Sequence, residues 1–433
     1  MGRKQERFVK IPSYFRCPIS LEVMKSPVSL CTGVTYERAS IQRWLDSGNT
    51  TCPATRQNLP STDLVPNLTL QRLIHHWSSS SSSSTAAAAA VPRLHRGNDL
   101  LHELRFPAAD PVPTLRKLAQ FFSDDENDEF EKNNLVNAGG CAAVLASILV
   151  RKNYDDDDEA GLETSEAAIR VLALILTSDF IEEGNRKIAI SALISDLNGS
   201  VSALVSVLKK GSSLESRIDS ARVLESVLGL PEAVEAKVVI AEKDEVIAEL
   251  IRLIGPSDDK GTMDRRAVEA GIGCLAGIAE VRRSRARIVR LGVVPAVTRV
   301  LAAKAEVVPA AAAERAMRVM EAAAGCAEGR AAICETAEES VGAVAGRMMK
   351  AGREGAEAAV AVLWTVCHLY RDRRAVEAVA AENGGLTKIL LFMQSGCSPP
   401  TRQMAADLLK IFKVNSKSCL PGYDTKTIHI MPF

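Results

Sequence analysis

The chain has 433 residues, with 53 basic and 53 acidic side chains, 47% hydrophobic content and only 4% aromatics. A neutral balance gives no footing for nucleic-acid binding, which draws on a basic excess. No charge-free apolar run reaches the ~18–20 residues of an integral membrane segment.

The length predicts two to four domains, and a core drawn from Ala, Val, Leu and Ile favours packed helices. The opening stretch "MGRKQERFVK" lacks the apolar centre of a secretory signal, and Glu6 stands where N-myristoylation needs Ser or Thr. Ten cysteines occur without paired spacing. That is the usage of reduced thiols in a cytoplasmic protein, with a nuclear pool left open.

Residues 8–77 read as one small α+β unit. "SPVSL" and "VTYE" flank Cys31-Thr32-Gly33 as a β-hairpin. "ERASIQRWLDSG" reads as a short helix ended by Gly48, with Ile41 and Leu45 on its inner face and Trp44 pointing elsewhere. After the loop "NTTCPATRQNL", Asn67 is the expected N-cap of a second helix whose stripe is Leu70, Leu73, Ile74 and Trp77. Two Cys-Pro pairs, Cys17-Pro18 and Cys52-Pro53, suggest a zinc-held cross-brace. Between residues 8 and 74, however, stand only Cys17, Cys31 and Cys52, no histidine, and no two cysteines within ten residues. A structural zinc ion needs four such ligands, usually arriving as close pairs. No metal is expected.

Residues 78–90, "SSSSSSSTAAAAA", can bury nothing. They predict a flexible linker over 78–97, spanning about 20 Å on average, and so a mechanical boundary. Beyond it, over 98–415, six ten-residue blocks recur: "GGCAAVLASI" at 139, "GSVSALVSVL" at 199, "EVIAELIRLI" at 245, "GVVPAVTRVL" at 292, "ESVGAVAGRM" at 339 and "GGLTKILLFM" at 384. Their starts differ by 60, 46, 47, 47 and 45 residues, and the third, sixth and tenth positions of each are apolar. That spacing puts one buried stripe on each helix. Two or three helices per period of about 46 residues is the armadillo/HEAT pattern, an all-α superhelical solenoid of about six repeats with a concave surface. "NYDDDDEAG" (Asn153–Gly161) reads as an acidic loop inserted in the first repeat, Gly292 as a helix C-cap, and residues 416–433 as a tail.

The stretch "FRCPISLEVMKSPVSLCTGVTYERASIQRWLDSGNTTCPATRQNLPSTDLVPNLTLQRLI" (Phe15 to Ile74) resembles the U-box, the metal-free relative of the RING domain. With armadillo repeats after a linker, the whole chain resembles a plant U-box/armadillo protein. The resemblance implies a RING-type ubiquitin ligase without a cofactor. Such a protein seats a ubiquitin-conjugating enzyme, holds its ubiquitin for attack by a substrate lysine, and forms no thioester of its own. Carried onto matching positions, the conjugating enzyme would rest on Ile19, Trp44 and Pro53, and Arg56 would position ubiquitin. Each has a plainer alternative: a small-core residue for Ile19, edge packing for Trp44, loop shape for Pro53, and an internal salt bridge for Arg56. In this family polar side chains brace the two loops, and the candidates here are Ser20, Glu22, Thr32, Glu37, Arg38, Thr55 and Arg56, with the three thiols as buried filler. The resemblance also suggests plant stress or defence signalling, and leaves open a U-box homodimer.

Protein substrates would sit on the repeats, where Trp364 and His368 share a helical face at i, i+4 and form a candidate substrate contact. Armadillo proteins that bind basic localisation peptides repeat a Trp/Asn ladder, which this chain lacks. The competing class is a non-enzymatic adaptor with an assembly-only U-box-like module. A hydrolase finds no nucleophile–base–orienter set.

Overall fold

The computed structural model describes residues 12–81, 93–105, 110–124, 127–137, 140–151, 159–256, 261–382 and 384–419. They fall into two compact units, one drawn from residues 1–148 with 174–193 and the other from 149–173 with 194–433.

The first unit opens with the expected hairpin. Strands β1 (Pro27–Ser29) and β2 (Thr35–Glu37) pair antiparallel with Val28 opposite Tyr36. Gly33, at φ +79°, takes the left-handed turn position that other residues avoid. A third strand, β3 (Val65–Pro66), adds to the free side of β1, giving the order β2-β1-β3. Pro66 can pair there because an edge strand needs no N–H on its outer side.

Helix α1 (Arg38–Asp46) follows β2 directly and stops at Gly48, φ +83°, whose N–H donates to Leu45 O at 2.9 Å. Helix α2 (Leu68–Ser81) is capped as its sequence predicts, Asn67 Oδ1 accepting the Leu70 N–H at 3.1 Å. The same amide donates to Ser29 Oγ and Thr35 Oγ1, both at 3.3 Å, fastening the helix start to the hairpin. Val28, Tyr36, Ile41 and Ile74 close a small core around Phe15, Met24, Cys17 and Cys52.

Two expectations change. Leu73 is 53% exposed, whereas Gln71 is buried. Its amide donates to Lys25 O at 3.3 Å and to Asp128 Oδ1 at 2.9 Å. A second element therefore covers α2 on its Gln71 side. It is the segment leading into the helix Glu129–Asn137, where Glu129 also meets Arg38 Nε at 3.2 Å. Arg38 was a candidate loop brace; it serves this junction instead. Composition alone suggests two mechanically independent parts, and the structure adds these polar contacts between them. Helix α2 continues into the serines as far as Ser81, and the next helix starts at Arg93. Residues 82–92, most of the acidic insertion (152–158) and the last residues of the tail (420–433) lie outside the described ones.

All six sequence blocks fall on helices: Cys141–Arg151, Leu197–Lys210, Asp244–Leu253, Val293–Ala302, Ala337–Arg347 and Gly385–Gln394. In the four middle blocks the third, sixth and tenth positions are buried throughout. In the first block the fully buried line is Ala142, Leu145 and Leu149, one residue later than the pattern suggests. Within the second unit the helices come in triplets, such as Arg265–Glu280, Arg285–Arg290 and Val293–Ala302, followed by Ala310–Ala324, Ala327–Glu335 and Ala337–Arg347. Long helices of successive triplets lie side by side, Leu214–Gly229 against Arg265–Glu280, then Ala310–Ala324, then Gly352–Trp364. The approach is close. A Cβ added at Gly277 would stand 3.0 Å from Leu228 Cβ. Aspartates start the helices: Asp264 accepts the N–H groups of Arg266 and Ala267, and Asp372 those of Arg374 and Ala375. Gly292, φ +94°, turns the chain between the second and third helices of its triplet. This is the armadillo/HEAT-type packing that the repeat period implies. No single helix among the described residues is long and apolar enough to cross a membrane.

Candidate functional site

Two loops of the first unit repeat one backbone motif, which reading the sequence did not anticipate. In the first, Cys17 N–H donates to Glu22 O and Leu21 N–H to Cys17 O, both at 2.9 Å. In the second, Cys52 N–H donates to Gln57 O and Arg56 N–H to Cys52 O, both at 2.8 Å. The fifth residue of each loop is left-handed, Leu21 at φ +61° and Arg56 at φ +60°. Non-glycine residues seldom sit there, and holding one costs of order 1–3 kcal/mol. Both side chains are exposed, Leu21 by 68%. The sequence signal was available: "CPISLE" and "CPATRQ" match as Cys-Pro, hydroxyl at position four, then a long polar residue at six.

Strand β2 holds the loops side by side. Glu37 N–H donates to Cys17 Sγ at 3.3 Å, so the first loop hangs on β2. One residue earlier, the Tyr36 hydroxyl accepts from Ala54 N–H at 3.0 Å and lies 3.0 Å from Cys52 Sγ, so the second loop does too. Thr32 Oγ1 donates to Cys52 Sγ at 3.4 Å, and Ile19 N–H to Cys17 Sγ at 3.4 Å. Glu37 extends the bracing, its carboxylate accepting Lys25 N–H at 2.7 Å and Ser26 N–H at 3.1 Å.

The two buried sulfurs are thus acceptors at the centre of the brace rather than filler. Burial raises the Cys52 thiol, but hydrogen bonds from Thr32, Thr55 and Tyr36 outweigh it and bring the pKa down to about 6. Burial likewise opposes ionisation of Cys17, and contacts from Ser20, Glu37 and Ile19 pull it below the usual thiol range. Tyr36 moves the other way, pushed up by burial and by its bond to Cys52. Cys31 is exposed and its thiol donates to Ser61 O at 3.4 Å, so it is not a core thiol. Among the described residues no three His, Cys, Asp or Glu side chains gather as a metal site.

Of the residues the sequence singles out, Ile19 is 38% exposed on the first loop. Pro53 is half-buried on the second, three residues before exposed Arg56. Trp44 does not point away from the core, as helical spacing suggests. It is half-buried against the core, and its indole donates to Thr51 O at 2.8 Å, tying α1 to the approach of the second loop. Trp364 and His368 come together in the second unit, with rings stacked 5.4 Å apart at 16°. The adjacent Cys367 is buried, which pushes its thiol up to about 12, so no Cys/His nucleophile arises.

Residues 11–83 match the family described as U-box domain, and residues 98–430 the one described as plant U-box protein ARM repeat region. In Arabidopsis thaliana, U-box domain-containing protein 28 is 37% identical over 427 residues, covering 98% of each chain. U-box domain-containing protein 29 of the same plant is 35% identical over 452 residues, with both chains covered in full. The Arabidopsis thaliana E3 ubiquitin-protein ligase PUB23 is 28% identical over 430 residues, 97% of each chain. The fold is also similar to a chain from a solved structure concerned with a phosphorylation switch in the interaction between cadherin and beta-catenin. That likeness has a TM-score of 0.53 at 14% identity and covers 81% of this chain and 58% of the other.

Proposed function

The chain belongs to the plant U-box proteins with an armadillo-repeat region, and from that premise we propose that it is a ubiquitin-protein ligase. Its U-box seats a ubiquitin-charged conjugating enzyme, and its repeats hold the protein substrate. The observation that supports this reading best is the pair of matched loops. Their sulfurs face inward, while Ile19, Leu21 and Arg56 face solvent. A shallow apolar seat beside a cation suits a partner whose own surface is part apolar and part carbonyl. Leu21 joins Ile19 in that seat, and the ring of Trp44 steadies the second loop below Pro53.

The ligase contributes position rather than a nucleophile. Holding thioester and lysine together can lower a barrier by several kcal/mol, up to about 7–11 in ideal cases. Arg56 supplies the finer step: its planar guanidinium bonds the conjugating enzyme and ubiquitin at once and keeps the thioester in an attack-ready arrangement. Cys17 and Cys52 are buried, so neither is open to receive ubiquitin.

The test is discharge of charged conjugating enzymes, followed across a panel of them. The full chain is expected to accelerate discharge with or without EDTA, and Ile19→Ala to lower the rate at least tenfold with unchanged circular dichroism. Failure to accelerate discharge from any enzyme of the panel would remove the ligase reading. Loss in EDTA with rescue by zinc would remove the metal-free brace.

A further inference from the structure

The ends of the helices Arg265–Glu280, Ala310–Ala324 and Gly352–Trp364 open a groove of about 570 Å³ in the second unit. Alanines and Gly325 form much of its lining, and its charged groups are Glu280, Arg285, Arg318, Glu321 and Arg330. Arg285 and Arg330 stand 45 residues apart, one repeat period. Each does the same job, donating to the carbonyl six residues earlier, Arg285 to Ala279 O at 3.2 Å and Arg330 to Ala324 O at 3.1 Å. That anchors part of each guanidinium, and a guanidinium carries five N–H donors. A Cβ added at Gly325 would lie 3.1 Å from Arg285 Nη1. A side chain there would press on the cation, so the glycine leaves it room beside the next repeat.

The carboxylates offset this charge only in part, since three arginines face two glutamates in the lining. Glu280 is paired with Lys237 at 3.2 Å. Burial pushes the Glu321 carboxyl up, against the pull of Arg318 and Arg285. Arg318 also meets Glu354, at 3.5 Å, with both side chains more than half exposed.

Trp364 lines the groove with its indole Nε1 buried and no acceptor beside it among the described residues. A buried donor strongly favours finding one. Immediately afterwards the chain leaves the α-helix for a π turn over Thr365–Leu369 and reaches Arg371 at φ +56°. Such turns mark functional positions more often than ordinary helix does. Leu369, 58% exposed, is left on the groove wall.

We propose that this groove binds an extended acidic segment of a partner protein. Carboxylates would meet Arg285, Arg318 and Arg330, a backbone carbonyl would accept the Trp364 N–H, and an apolar side chain would lie on Leu369. Neighbouring helices stand about 8–10 Å apart, the length of about three extended residues, so the segment carries acidic residues at about that interval. The proposal rests on the reading that the repeats hold the substrate, and it names the substrate's recognition chemistry.

Two fluorescent twelve-residue peptides would test it on the full chain, with identical leucines and tyrosine and either four glutamates or four lysines at every third position. The glutamate peptide is expected to bind at least tenfold more tightly at low salt, and more weakly as salt rises. Arg285→Glu with Arg330→Glu should lower its affinity tenfold or more. Arg318→Glu, which removes no carbonyl cap, should do so severalfold, and Trp364→Phe, which keeps the ring and loses the N–H, likewise. Equal binding of the lysine peptide, or indifference to Arg318→Glu, overturns the proposal. So does a concentration-dependent dimer that the Arg318→Glu variant abolishes, since the face would then belong to a second copy. Autoubiquitination run in parallel, which needs only the U-box and the conjugating enzyme, should be unchanged in Arg318→Glu. Its absence in the wild type would strike the ligase reading and leave the peptide result standing.

Discussion

Cys52 shows how a loop can be braced without an ion. Its sulfur is fully buried among hydroxyls, and its pKa near 6 lies below the usual thiol value. A thiol depressed in the folded state stabilises fully above its unfolded pKa of about 8.5, and that contribution fades as pH falls through about 6. The urea midpoint of the wild-type U-box should therefore rise between pH 6 and pH 9. Cys52→Ser, whose hydroxyl does not ionise, should flatten the rise, leaving the share of Cys17. An unchanged slope in the variant would place the charge elsewhere. Arg56 poses a different residue-level question, whether its cation serves the fold or the partner. Its φ of +60° is as unfavourable for alanine as for arginine, so Arg56→Ala isolates the guanidinium. Expected are an unchanged melting temperature, unchanged binding of the conjugating enzyme and discharge slowed about tenfold, which corresponds to about 1.4 kcal/mol. A lowered melting temperature would favour the internal role.

Among elements, α2 shows the reach of local rules. Asn67 is legible as a cap from sequence, but its second pair of bonds, to Ser29 and Thr35, needs the hairpin in place. Asn67→Ala should thus cost the first unit about 1–2 kcal/mol, the upper range for a cap, read as a lower urea midpoint. A loss of only a few tenths would mean the hairpin bonds contribute nothing. The repeat helices were legible because apolar residues recur at 3.6-residue spacing. The first block misleads by one residue because nearly every position from Cys141 to Val150 is apolar or small, so several stripes fit equally well. Leu73 and Gln71 exchange roles for a different reason. Which side of α2 is covered depends on a segment near residue 128, and no local pattern encodes that.

At the scale of the whole chain, two tryptophans, Trp44 and Trp77, report on the first unit, and Trp364 on the second. Helical content, by contrast, is dominated by the repeats. Stacked repeats unfold by nearest-neighbour rules rather than as one block. Urea unfolding followed by tryptophan fluorescence and by far-UV circular dichroism should give midpoints that do not coincide. Coincident curves would show that U-box and repeats unfold as a single cooperative body.

Sequence by itself determined the order of parts: a small loop-and-hairpin unit, a polar interval, then amphipathic helices at a regular period. Each of these rests on local composition or on spacing along one helix, where neighbours in sequence are neighbours in space. Tertiary structure alone decided that Cys17 and Cys52 act as hydrogen-bond acceptors, that Trp44 is tied to the second loop, that Arg38 leaves the brace for Glu129, and that three arginines line one groove. These depend on contacts between residues far apart in the chain, and a one-dimensional pattern carries the identity of each partner but not which partners meet.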